Sequence, residues 1–113
     1  MYHDISIIHK TYKFYIRLYS CTKIFPKKDR FTLGQKCENA TLEILELLFL
    51  ANSKPDSKKP AVLAEADLKL KVLQTLVRIC SDVRAIEKNT YISLEETLEE
   101  IGRMLGGWIK SLK

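Results

Sequence analysis

Apolar residues in this chain recur at intervals of three and four, the spacing that lines one face of an α-helix. The last row is the cleanest. Leu94, Leu98, Ile101, Leu105, Trp108 and Leu112 are spaced 4, 3, 4, 3 and 4, which is coiled-coil-like packing spacing. Leu63, Ala66, Leu70, Leu73, Val77 and Cys80 repeat the pattern upstream. Strand-like alternation competes over no comparable length. Punctuation divides the chain into four predicted helices. The first spans about 4–24 and stops before Pro26, because the residue preceding a proline avoids helical backbone. The second spans about 29–52 and ends in the turn-rich loop "NSKPDSKKP". The third opens near Pro60, a residue suited to the first helical position, and runs to about residue 87. "KNTYI" links it to the fourth, where Ser93 and Glu96 read as a capping box, and that helix runs to about residue 112.

Short connections between such helices predict an all-α fold, an up-down-up-down antiparallel four-helix bundle. At 113 residues there is length for one domain, 1–113, able to bury about two thirds of its unfolded surface. The apolar arcs are wider than one bundle core requires. The first helix carries Ile5, Ile8, Tyr12, Tyr15 and Tyr19 on one line, and Ile7, Phe14, Leu18, Cys21 and Phe25 on another. The third adds Leu68, Val72, Leu76, Ile79, Val83 and Ile86 beside its first row. Small monomers rarely expose so much contiguous apolar surface, so a closed, ring-like homo-oligomer is expected.

Three glycines, Gly102, Gly106 and Gly107, sit inside the last helix, although each costs about 1 kcal/mol relative to alanine there. Gly102 and Gly106 are four apart and share a face. Lacking side chains, they would let a neighbouring helix approach closely, in the bundle or between subunits. Gly107 would leave room for the indole of Trp108.

Charge adds a second theme. Nineteen basic and fourteen acidic residues leave a net +5, and residues 1–30 hold seven of the basic and two of the acidic ones. Lys10, Lys13 and Arg17 lie at i, i+3 and i+7, a stripe along the first helix. Lys23, Lys27, Lys28 and Arg30 continue around the first corner, and Lys54, Lys58 and Lys59 add a basic loop. Such groups contact phosphates without reading sequence; a solvated face with basic loops is the plainer alternative.

Candidate chemistry is sparse. The histidines are His3 and His9, and neither follows a glutamate by three residues, as a di-iron bundle site requires. Glu95, Glu96, Glu99 and Glu100 suit the N-terminal half of a helix. Cys21, Cys37 and Cys80 form no C-x-x-C pair and read as buried, reduced thiols. There is no nucleophile elbow, phosphate loop or dinucleotide turn. A non-enzyme without metal or cofactor is expected. Lys10, Lys13, Arg17 and Lys23 interrupt the apolar N-terminal stretch, and Glu43 and Glu46 interrupt "LEILELLFLA", so neither suits a membrane span. No secretory signal is visible, and a cytoplasmic protein is expected.

"FPKKDRFTLGQKCENATLEILELLFLAN" and the terminal "EEIGRMLGGWIKSLK" resemble the four-helix-bundle family that includes Avd, the accessory variability determinant of diversity-generating retroelements. Proteins encoded in intervening sequences of bacterial 23S ribosomal RNA genes belong to the same superfamily. The resemblance covers essentially the whole chain, and its most specific part runs from Gly102 through Trp108 to Lys110. It implies a homopentameric barrel of bundles with a basic surface. It also implies binding to a reverse transcriptase and to RNA or DNA in support of mutagenic cDNA synthesis. Arg30, Arg78, Arg84 and Lys88 are then candidate contacts for the reverse transcriptase, with Arg84 and Lys88 expected on one helix face. The intervening-sequence branch usually ends its second helix on Asn-Ile-Ala-Glu-Gly. Here that region reads Leu47-Leu48-Phe49-Leu50-Ala51-Asn52, nearer the Avd side. The alternative function is an oligomeric scaffold of the intervening-sequence type, without a reverse transcriptase.

Overall fold

A computed structural model of the chain describes residues 2–113, with side chains from residue 5 onward, so the side chain of His3 lies outside the described residues. It is built from α1 (Tyr2–Thr22), α2 (Lys27–Asp29), a π-helical turn (Arg30–Gly34), α3 (Gln35–Ser53), α4 (Lys59–Asp82) and α5 (Lys88–Ser111). No strand occurs among the described residues. Helical backbone continues unbroken from α2 through the π turn into α3, so the long helices number four, as the rhythm of the sequence predicts. α1 packs on α3 and α5, and α4 packs on the same two, which is the square of an antiparallel bundle.

The two 3/4 rows fill the core. Leu63, Leu70, Leu73 and Val77 of α4 face Leu94, Leu98, Ile101 and Leu105 of α5, all buried. Trp108 is buried with them, and Leu112 packs at the edge. α1 contributes Ile7, Phe14 and Leu18, with Phe25 folded in behind it, and α3 contributes Cys37, Ala40, Ile44, Leu48 and Ala51. Three polar side chains, Thr11, Thr22 and Thr41, reach this interior, none of them unsatisfied. Thr11 Oγ1 donates to the Ile7 carbonyl and Thr41 Oγ1 to the Cys37 carbonyl, each at 2.8 Å, the local back-bonding open to threonine in a helix.

Corners depart from the expected boundaries for identifiable reasons. α1 ends at Thr22, and Pro26 opens the next helix: its carbonyl accepts from the Asp29 and Arg30 amides, both at 2.9 Å. α4 ends at Asp82, short of 87. The Ala85 amide donates to the Cys80 carbonyl at 2.8 Å and the Arg84 amide to the Ser81 carbonyl at 3.0 Å. These are the paired bonds of a Schellman ending. Arg84 holds the left-handed position, φ 63°, that glycine usually fills. α5 begins at Lys88 with Glu87 before it and no side-chain cap. Ser93 therefore sits inside the helix, and the capping box with Glu96 does not form. The added turn is anchored by Tyr91, which packs on the core and donates from its hydroxyl to Glu95 at 3.2 Å.

The second apolar rows stay outside. Ile5, Tyr12 and Tyr19 of α1 are more than half exposed, and Leu68, Val72 and Ile79 of α4, with Val83 just after it, are exposed as well. Leu76 and Ile86 tuck against the core instead.

Candidate nucleic-acid interface

α1 is long enough to carry three cations past the start and middle of α5. Lys10, Lys13 and Arg17 all line one hollow of about 1040 Å³ between the two helices, with Tyr12, Ile16 and Met104 as its apolar wall. The stripe read from the spacing is therefore one surface. It is partly neutralised across the seam, where Lys10 Nζ lies 2.7 Å from Glu100 Oε2. The hydrogen bond and charge of Lys10 hold the Glu100 carboxyl below its ordinary value. The Arg17 guanidinium donates to Ser93 Oγ. Lys13 is exposed and has no ion-pair partner among the described residues.

A second hollow, of about 890 Å³, shares Arg17 and Ser20 with the first and adds Arg84 and Lys88. Two sets of cations assigned separately in the sequence thus adjoin on one face. The reason expected for grouping Arg84 with Lys88 is corrected: they share no helix face, because Arg84 lies in the turn after α4 and Lys88 opens α5. Arg78 stands apart, exposed on α4, where its charge acts on the Tyr91 hydroxyl.

The first corner splits the remaining cations. Lys23 and Arg30 line a smaller hollow of about 220 Å³ beside Glu38, and the Arg30 guanidinium stacks 5.4 Å from the Phe31 ring centroid. Lys27 and Lys28 point outward on α2. Thr22 Oγ1 donates to the Glu38 carboxylate, a tie across sixteen residues that no local spacing announces. Of the basic loop, Lys59 is already used. Its ammonium donates to the carbonyls of Ala51 and Asn52 at 3.0 and 3.3 Å, closing the end of α3.

Gly102, Gly106 and Gly107 do not stand at tight contacts. A Cβ on Gly102 would meet only Leu70 at an ordinary 3.5 Å, and one on Gly106 or Gly107 would meet nothing within 4 Å. No close approach inside the bundle requires them. Gly34, which the sequence reading passed over, is the tight one: its Cβ would lie 3.3 Å from both Phe25 and Thr22 and 3.4 Å from the Asp29 carbonyl. Trp108 is a core residue. Cys37 and Cys80 are buried with their sulfurs 3.8 Å apart. The contact with Cys80, followed by burial, pushes the Cys37 thiol well above its ordinary value. Cys21 is half-buried beside Arg17; burial raises its thiol and the arginine partly offsets that.

No helix among the described residues is long and apolar enough to cross a membrane. Fold and face together define a small four-helix-bundle protein with a cationic groove between its first and last helices. The family model of bAvd-like proteins matches residues 5–112, and the chain belongs to that family. No curated protein matches it in sequence.

Proposed function

We propose that this chain is a non-enzymatic accessory protein of a diversity-generating retroelement: a cytoplasmic, basic homopentameric adaptor that binds reverse transcriptase and RNA or DNA during mutagenic cDNA synthesis. Membership of the bAvd-like family over residues 5–112 carries the reading. The groove supports it, since Lys10, Lys13 and Arg17 line one hollow and offer charge without a sequence-reading motif. The exposed rows on α1 and α4 support assembly. In this reading chemistry belongs to the polymerase, and the adaptor holds nucleic acid beside it.

Co-purification with the reverse transcriptase encoded nearest the gene tests the partner. Association at low salt with RNA present is expected, and its absence abandons the retroelement role. Replacing Lys10, Lys13 and Arg17 together by glutamine tests the groove. Affinity should fall for all sequences alike, and wild-type affinity should fall steeply with salt. The exposed apolar rows also suit a purely structural scaffold, the reading that stands if neither polymerase nor nucleic acid binds.

A further inference from the structure

The groove between α1 and α5 ends at a corner of the bundle. There it enters the hollow of about 890 Å³ formed by the C-terminal half of α1, the 83–87 turn and the start of α5. Three cations from three separate segments line that hollow: Arg17, Arg84 and Lys88. Glu87 is the single carboxylate among the lining residues, which leaves a net charge of +2. Neither Arg84 nor Lys88 has an ion-pair partner among the described residues. The hydroxyls of Ser81 and Thr90 add hydrogen-bonding groups to the same wall. The Schellman bonds fix the backbone of Arg84 at the rim, and its side chain lines the hollow.

An internal phosphodiester brings one negative charge. A phosphate monoester brings nearly two at neutral pH, which matches the hollow. We propose that this corner binds a terminal phosphate: the monoester at the end of a nucleic-acid strand whose internal phosphates lie along Lys10 and Lys13, with Arg17 turned to the terminal group. The proposal rests on the nucleic-acid reading above and gives it polarity. A strand held this way is positioned by its end, with the groove supplying sequence-independent grip.

The test uses RNA oligonucleotides of one sequence bearing a 5′-phosphate, a 3′-phosphate or hydroxyls at both ends, measured by fluorescence anisotropy across a salt series. At least one phosphorylated strand should bind about three- to tenfold more tightly than the hydroxyl-ended one, the gain available to a few partly exposed charge pairs. Arg84→Asn combined with Lys88→Gln should erase that advantage. The same variant should leave the hydroxyl-ended strand within about twofold, since its phosphates use the other cations. Asparagine accepts the left-handed backbone, so the turn is kept. Equal affinities for the three strands, with steep salt dependence intact, overturn the terminal-phosphate site and leave the nucleic-acid reading standing. Absence of salt-dependent binding to any strand removes that reading instead. AMP titrated into ¹⁵N-labelled protein then decides the hollow alone: amide shifts concentrated in residues 81–90 assign it to a free mononucleotide, and their absence overturns it.

Discussion

Lys10 and Glu100 meet across the seam of α1 and α5 at 2.7 Å. Lys10 depresses the Glu100 carboxyl, so the tie is fully present above the ordinary carboxylate range, near pH 4.5. It is lost as pH falls through the lower folded value. Glu100→Gln removes the counter-charge and frees Lys10. Nucleic acid should then bind more tightly, and the plot of log affinity against log salt should steepen by about 0.7 for a single strand if one more phosphate is engaged. An unchanged slope would mean that Lys10 does not reach phosphate. The lysine was legible in the sequence, because i, i+3 and i+7 place side chains on one face. Its partner was not, since ninety residues separate them and only packing joins the two helices. Cysteine behaves likewise. Burial of Cys37 and Cys80 follows from the apolar rows, but their 3.8 Å contact depends on how α3 meets α4. Thiol reagents on the native protein should label Cys21 alone and slowly at neutral pH, and all three after denaturation. Rapid native labelling of two or more would contradict the packed pair.

Among the elements, the four rods were readable, but the end of α4 and the start of α5 were not. Rhythm decides which faces are buried, so the rows through Leu70 and Leu98 lie in the core as expected. Ends depend on turn chemistry and tertiary anchoring. Arg84 adopts φ 63° without being glycine, and Tyr91 holds a turn that Ser93 was expected to start. The glycines illustrate the same limit, because spacing cannot tell open space from a close neighbour. Gly34→Leu should destabilise the fold by about 1–3 kcal/mol, since Phe25, Thr22 and the Asp29 carbonyl already crowd the site. Gly106→Leu should leave the isolated bundle as stable or firmer, by up to about 1 kcal/mol, because the space beside it is open. If Gly106 faces another copy, that substitution should abolish assembly while thermal unfolding of the subunit stays cooperative. Loss of subunit stability with Gly106→Leu would contradict the open space; unchanged assembly would remove the glycine from any interface.

At the scale of the whole molecule, the proposed ring would bury apolar surface that the bundle leaves exposed. Leu68, Val72 and Ile79 on the outer face of α4, with Val83 just after it, continue a 4, 7, 4 spacing, a second seam exposed among the described residues. Light scattering at micromolar concentration should report several chain masses, and Leu68→Glu with Val72→Glu should reduce that to one while the helical content is retained. A concentration-independent monomer before substitution would end the oligomeric reading. Fold class and surplus surface were both visible as row widths. The subunit number was not, because it depends on the angle at which two seams meet. The π-helical turn Arg30–Gly34 carries a consequence of its own. Such a turn holds one residue more than an α-helical turn, and one residue amounts to about 100° of rotation about the axis. Deleting any single residue from the turn would let the rod relax to uniform pitch while Lys27, Lys28 and Pro26 swung roughly a quarter-circle against α3. The heading of the basic corner is therefore encoded as a count of residues, and a deletion there would re-aim the charge without changing a single charged side chain.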